Sequence, residues 1–322
     1  MLEIILDNRD GTLWDLSEIA TGITWKTSRY GRPSSLDFTI VKNGIYQENA
    51  FRYSNGDVVR FVYDGHNIFY GYIFSIDSGK NEDVKITCYD QVRYLLANQT
   101  YVLSNISTGD IIRRIAKDFE LRVGHIEDTG YRIPTMVEDA QKLLDIIEKA
   151  NVLTMQNTGR NYVFYDDFGE LALRNVEDML VDFYIGDDSL MYDYRSKISI
   201  DTDTYNRIIL YKDNKDTGKR EIFKSQDSDN IARWGVLQLY QSVDENANEA
   251  QIKQLLDQLM TVKNRETKSL KIEAIGDPRI RAGCYVPIEI GEYGINQPFL
   301  VNECQHRFDG ADHTMTLELK VI

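Results

Sequence analysis

Short apolar runs alternating with polar positions dominate residues 1–98. The runs at 23–26, 36–41, 57–63, 69–76 and 84–89 are rich in β-branched and aromatic residues. Turn chemistry separates them, with "NGD" at Asn55, "DGHN" at Asp64 and "SGKNED" at Ser78. Many short strands with turns between them predict an antiparallel barrel or sandwich.

The period then changes. Ser107-Thr108-Gly109-Asp110 has the form of a capping box, with Ile106 and Ile111 placed as a hydrophobic staple. Behind it Ile111, Ile112, Ile115, Ala116 and Phe119 form an apolar stripe at helical spacing. A second box, Thr135 to Glu138, predicts another helix with Val137, Ala140, Leu144 and Ile147 on one face. "YVFYDDFGELALRN" from Tyr162 reads as a hairpin turning near 167–169. Strand character returns at Lys197, interrupted by a surface helix near 248–262 that carries Ile252, Leu255, Leu256 and Leu259 on one face. The expected class is α+β, mainly β. The expected division is a β-barrel over 1–98, a small helix-helix-hairpin α/β domain over 99–190, and a second barrel over 191–322.

The two β segments share an order. "SNGDVVRFV" from Ser54 resembles "RAGCYVPIEI" from Arg281 in its Gly-x-x-Val core. Each is followed by a strand with an aromatic start, "FYGYIFSID" at Phe69 and "FLVNECQHRFD" at Phe299. An alternating strand then follows, "VKITCYD" at Val84 and "HTMTLELKVI" at His313. Either any two β-meanders share such an order, or the chain carries an internal duplication, two copies of one β-barrel with the helical block inserted between them. Gly56 and Gly283 then mark equivalent turns, and Gly276 and Pro278 break the chain before the second one. Glycine accepts positive φ without steric cost, and proline presets φ.

With the order in view, the sequence resembles phage tail hub proteins. "GDPRIRAGCYVPIEI" followed by "FLVNECQHRFDGADHTMTLELK" looks like their C-terminal signature: Gly-x-Pro-x-x-x-x-Gly, then His-x-Phe, then Thr-x-x-Leu. "WKTSRYGRPSSLDFTI" and "VRFVYDGHNIFYGYIFSID" are similar to the start of the XkdQ/YqbQ group, which is related to the late control gene D proteins. The resemblance implies a homotrimer in which each chain supplies two tube-type barrels. Such a hub joins a sixfold tail tube to a threefold spike in the baseplate of a contractile tail. It implies the tail tube protein, the spike, and other baseplate or tape-measure proteins as partners. It also implies synthesis in the bacterial cytoplasm, followed by assembly into a virion or bacteriocin-like particle.

Composition narrows the alternatives. The chain has 322 residues, 42% hydrophobic and 27% charged, which is ordinary globular usage. No run reaches the roughly 18 apolar residues of a membrane span, and the N-terminus lacks the basic start of a signal peptide. The three cysteines, Cys88, Cys284 and Cys304, have no metal-ligand spacing and fit a reducing compartment. A net charge of −14 argues against tight nucleic-acid binding. Residues 166–193 carry nine acidic side chains against Arg174 alone. Asp166, Asp167, Glu170, Asp182, Asp187 and Asp188 among them are either a solvated surface, a polar channel wall or a docking face.

Catalytic chemistry finds no motif. The sequence holds no nucleophile elbow, P-loop, dinucleotide fingerprint or HExxH helix. The carboxylate pairs Asp166-Asp167 and Asp187-Asp188 are expected by chance in so acidic a chain. His306 and His313 flank the loop "RFDGAD" and read as polar residues at a strand end rather than metal ligands. "DNKDTGKRE" at Asp213 fails as a calcium loop, because Lys215 stands where a ligand oxygen belongs. No cofactor and no enzyme activity are expected. The competing classes are a cell-wall or carbohydrate-binding tail module, suggested by the twenty tyrosines, and behind it a tail-associated hydrolase or endopeptidase.

Overall fold

The computed structural model describes residues 1–322 except 43–47, 49, 215–217, 244–246 and 322. The apolar alternation of the first segment becomes seven strands: β1 (Leu2–Asp7), β2 (Leu13–Asp15), β3 (Thr21–Ser28), β4 (Ser35–Val41), β5 (Val58–Tyr63), β6 (His66–Ser78) and β7 (Asp83–Tyr89). Alternate residues point to one face, so Leu36, Phe38 and Ile40 of β4 are buried beside Val84, Ile86 and Cys88 of β7. These strands run in the order β2-β1-β5-β6-β7-β4-β3, with antiparallel neighbours throughout.

The middle block contains β8 (Asn98–Ile106), α1 (Thr108–Asp118), β9 (Val123–Ile126), β10 (Ile133–Lys142), α2 (Leu143–Thr158), β11 (Tyr162–Asp166) and β12 (Leu171–Asn175). Ser107 caps α1 by accepting from the Asp110 backbone N–H at 3.1 Å. The buried stripe of α1 packs with Leu143, Ile146 and Ile147 of α2 around Leu171 and Leu173 of β12. The second expected cap is not one. Thr135 to Glu138 lies in β10, paired with β8 through Met136↔Leu103 and Glu138↔Tyr101. Met136 and Glu138 alternate as buried positions of a strand and find their partner there, while Val137 between them faces solvent instead of a helix core. Helix α2 begins only at Leu143 and ends at Gly159, whose φ of +71° closes the last turn.

Two short strands follow, β13 (Ile185–Gly186) and β14 (Met191–Ser199). Residues 196–270 form a compact unit with its own core. It contains β15 (Arg207–Asn214), β16 (Lys219–Gln226), α3 (Ser228–Trp234), β17 (Gln238–Ser242) and α4 (Glu249–Lys263). Asn248 and Gln251 cap α4 reciprocally, and Ile252 and Leu256 bury against Ile208 and Leu210. The helix expected near 248–262 therefore packs on its own three-stranded sheet, order β16-β15-β17.

The other compact unit comprises residues 1–195 and 271–320. The chain re-enters it through β18 (Thr267–Ile275), then forms β19 (Tyr285–Ile290), β20 (Ile295–Asp309) and β21 (Asp312–Val321). Closed barrels were expected, but the described pairing is open. β3 takes β20 as its second partner, so the order continues β3-β20-β21-β18-β14, with β19 and β13 off that path. Phe308 of β20 is buried in the same core as Phe38 and Phe61. The two β segments thus join in one sheet instead of each closing on itself.

Candidate functional site

Gly56 and Gly283 occupy turns with the same hydrogen bonds. The Asp57 N–H donates to the Ser54 carbonyl (3.1 Å), and the Cys284 N–H to the Arg281 carbonyl (3.2 Å). The Gly56 N–H donates to Ile73 (2.8 Å), and the Gly283 N–H to Val301 (2.9 Å). In return Ile73 donates to Asp57 (2.9 Å) and Val301 to Cys284 (3.0 Å). Both glycines sit third in their turn, at φ +92° and +96°, where a left-handed residue is needed. One further match lies downstream. The β6–β7 ladder shifts register between Ile73 and Ser75, and the β20–β21 ladder between Val301 and Glu303. Ile73 therefore corresponds to Val301, and the aromatic residues Phe69 and Phe299 are not equivalent positions.

Gly276 and Pro278 precede the second turn. The Gly276 N–H donates to the His313 carbonyl at 2.8 Å, and a Cβ on Gly276 would stand 2.2 Å from the His313 ring. Pro278 follows Asp277, whose carbonyl accepts from the Ile280 N–H at 3.1 Å.

His306 and His313 are buried, not polar residues of a loop. Their strands β20 and β21 pair so that His313 faces Phe308. His306 Nε2 lies 2.9 Å from the Ile280 carbonyl oxygen, which only accepts, so Nε2 carries the proton. His306 Nδ1 then accepts from His313 Nε2 at 2.9 Å. Burial, reinforced by the neighbouring His313, pushes His306 down to about 3, and burial pushes His313 down to about 4. Both imidazoles are neutral near pH 7.

The acidic residues divide. Asp166 does not join an exposed acidic face: it is 6% exposed, at the root of the β11–β12 hairpin. Its Oδ1 accepts from the Gly169 N–H at 2.6 Å and its Oδ2 has no hydrogen-bond partner. The turn it supports places Phe168 and Gly169 at φ +53° and +91°, a mirror-type hairpin turn. Asp90 is also buried, and its two oxygens accept from the Ser34 and Val92 N–H groups at 3.0 Å each. Arg281 completes the cluster, with its guanidinium 3.8 Å from the Tyr165 ring centre and Nη1 donating to the Asp166 carbonyl at 3.1 Å. Burial, then the charge of Asp90, raises the Asp166 carboxyl above the ordinary carboxylate range. Asp167 and Glu170 remain exposed at the hairpin turn, and Asp167 pairs with Arg174 at 3.6 Å. Asp182 pairs with Arg279 at 3.2 Å, Asp187 accepts from the Gly291 N–H at 2.9 Å, and Asp188 is exposed.

The discarded calcium loop lies partly outside the described residues, since Lys215 is one of those not described. Its Asp213 is held by Arg220 at 2.7 Å. Among the described residues no group of three or more His, Cys, Asp or Glu side chains could hold a metal, and no helix is long and apolar enough to cross a membrane. All three cysteines are buried and unbridged.

Sequence reasoning missed one surface. Tyr70, Tyr72 and Phe74 alternate along the face of β6 opposite buried Phe69 and Ile73. Their rings connect to Phe168, Tyr94 and Tyr89 at centroid distances of 5.6–5.8 Å. The signal was present in the period-two aromatic spacing.

The family model described as YQBQ-like matches residues 23–320. This chain belongs to the YQBQ-like family. It is 35% identical over 314 residues to the phage-like element PBSX protein XkdQ of Bacillus subtilis (strain 168), covering 96% of this chain and 94% of that protein. It is 33% identical over 314 residues to protein YqbQ of the same organism, with the same coverage. Among solved structures, the 43 kDa tail protein of prophage MuSo2 from Shewanella oneidensis matches with a TM-score of 0.69 at 14% identity, covering 98% of both chains. This YQBQ-like chain therefore shares the fold of a prophage tail protein.

Proposed function

We propose that this YQBQ-like chain is a structural, non-catalytic hub of a phage-like contractile tail. Three copies join the sixfold tail tube to a threefold spike at the baseplate. The observation that carries the reading is the internal repeat: two turns with matching hydrogen bonds, each leading into three antiparallel strands with a register shift at the same place. A chain with two similar segments presents six of them when three copies assemble, which lets one ring meet both symmetries. Membership of the YQBQ-like family and the tail-protein fold support the same placement. Residues 1–98 and 191–322, the latter without its separate compact unit 196–270, are then the two tube-type segments, with 99–190 between them in the chain. The tail tube, the spike and other baseplate or tape-measure proteins are its partners.

The first test is the mass of the purified chain in solution. Repulsion between copies of net charge −14 opposes assembly at low salt. Screening relieves it once the Debye length falls to about 10 Å at 0.1 M. Light scattering should give three times 37.3 kDa at moderate salt. A stable dimer, or a monomer under every salt condition and with spike added, contradicts the trimer.

A further inference from the structure

We infer that the aromatic–arginine face of β6 docks the acidic 177–188 segment of a second copy of this chain. The inference rests on the trimeric reading above and specifies which surfaces meet.

The internal repeat makes the open face conspicuous. Since Ile73 corresponds to Val301, the outward residues Tyr72 and Phe74 correspond to Leu300 and Asn302. In the second repeat the Leu300 position is covered: Leu300 is buried among Val163, Tyr165, Ala172 and Val176 of the β11–β12 hairpin and the residues after it, while Asn302 is half-buried. In the first repeat the tip of the hairpin, Phe168 and Gly169, reaches Tyr70. Tyr70 and Tyr72 line an open groove of about 550 Å³ together with Arg9, Arg60, Arg122 and Phe168; beside Tyr72, Tyr94 is 40% exposed.

The charge on this face opposes that of the chain as a whole. Arg9 lies 4.9 Å from the Tyr72 ring centre, Arg93 5.4 Å from Phe74 and Arg122 5.8 Å from Tyr70. Among the described residues none of these three has a carboxylate within ion-pair distance, whereas Arg60 nearby pairs with Asp7 at 3.3 Å. Aromatic rings braced by arginines are the composition of an interface centre. The complementary pattern occurs elsewhere on the same chain. Residues 177–188 expose Glu177, Asp178, Asp182, Asp187 and Asp188. Between these acids Leu180 is 53% exposed and Tyr184 40% exposed. Acids interleaved with apolar side chains fit rings interleaved with arginines. A patch that docks on a different patch of the next copy can propagate head-to-tail and close as a threefold ring, and light scattering separates that ring from a twofold dimer.

Mixing Tyr72→Cys protein with Leu180→Cys protein under mild oxidation tests this directly, since the native cysteines are buried. A disulfide-linked pair is expected in the mixture and in neither variant alone. Adding Arg9→Glu and Arg93→Glu to the first partner should cut its yield about tenfold or more. Phe74→Cys with Tyr184→Cys repeats the measurement if either first variant melts early. A trimer by light scattering without a mixed disulfide in either pair overturns the docking and leaves the trimer standing. A mixed disulfide without a trimer keeps the docking and overturns the threefold ring. Absence of both overturns both.

Discussion

Replacing Gly283 with alanine is expected to destabilise the protein by about 3–5 kcal/mol, while Gly56→Ala costs only about 1–2 kcal/mol. The two glycines share their hydrogen bonds and a φ near +95°, so alanine meets the same backbone strain at both. Their surroundings differ. A Cβ at Gly56 meets nothing within 4 Å, whereas at Gly283 it stands 2.6 Å from Val163 Cγ2. The excess at Gly283 is therefore an overpacking cost against the hairpin, and trimming the neighbour with Val163→Ala should recover part of it. Urea unfolding of the parent, Gly283→Ala, Val163→Ala and their double variant, together with Gly56→Ala, measures this. Equal losses at the two glycines would remove the claim that they make one turn in two environments.

The second large effect is a pair of opposed pH dependences, separated by Asp166→Asn. The raised Asp166 pKa means the folded state holds its proton more tightly than the unfolded chain does. Its penalty is absent below the ordinary value of 3.8 and grows with pH until the folded-state pKa is passed. The variant, which keeps an oxygen for the Gly169 N–H, should gain on the parent by about 1.4 kcal/mol per pH unit across that window. The histidines have the opposite sign. Their lowered pKa values, about 3 and about 4, leave the folded state with fewer protons than the unfolded chain below 6.5. Stability falls with pH from 6.5 downward, by about 1.4 kcal/mol per unit for each histidine, and the loss ends once the folded pKa values are passed. In the parent the single Asp166 effect offsets about half of the loss from the two histidines. In Asp166→Asn the acid loss should appear steeply between pH 6.5 and 4. Thermal melts of both proteins across this range decide it, and parallel curves would contradict the buried states assigned to these groups.

What the sequence made legible follows from which interactions are local. The repeated turn was readable because positive φ demands glycine, and two glycines with like followers leave a spaced signal. Ser107 capped α1 as expected, because an N-cap and a staple lie within five residues of each other. Thr135 to Glu138 carried the same kind of box, yet β8 offered it a strand partner from more than thirty residues upstream, and tertiary pairing prevailed. Phe69 and Phe299 misled the alignment, because aromatic residues were matched by type while hydrogen bonds match Ile73 with Val301. The burial of Asp166 and the pairing of His306 with His313 had no sequence signal. Asp166 is enclosed by Asp90 and Arg281, which lie far off in the chain, and the histidines meet only when β20 and β21 pair. The closed barrels failed for a similar reason: nothing local told β3 to take β20 as its neighbour.

The central claim is that three chains present six similar segments at the end of a tail tube. Electron microscopy of intact tail particles, with this chain labelled, tests it most directly. The expected image is a single layer between tube and spike that is threefold by label and close to sixfold by density. The account is contradicted if the label lies along the sheath or on fibres, or if the layer has six labels instead of three.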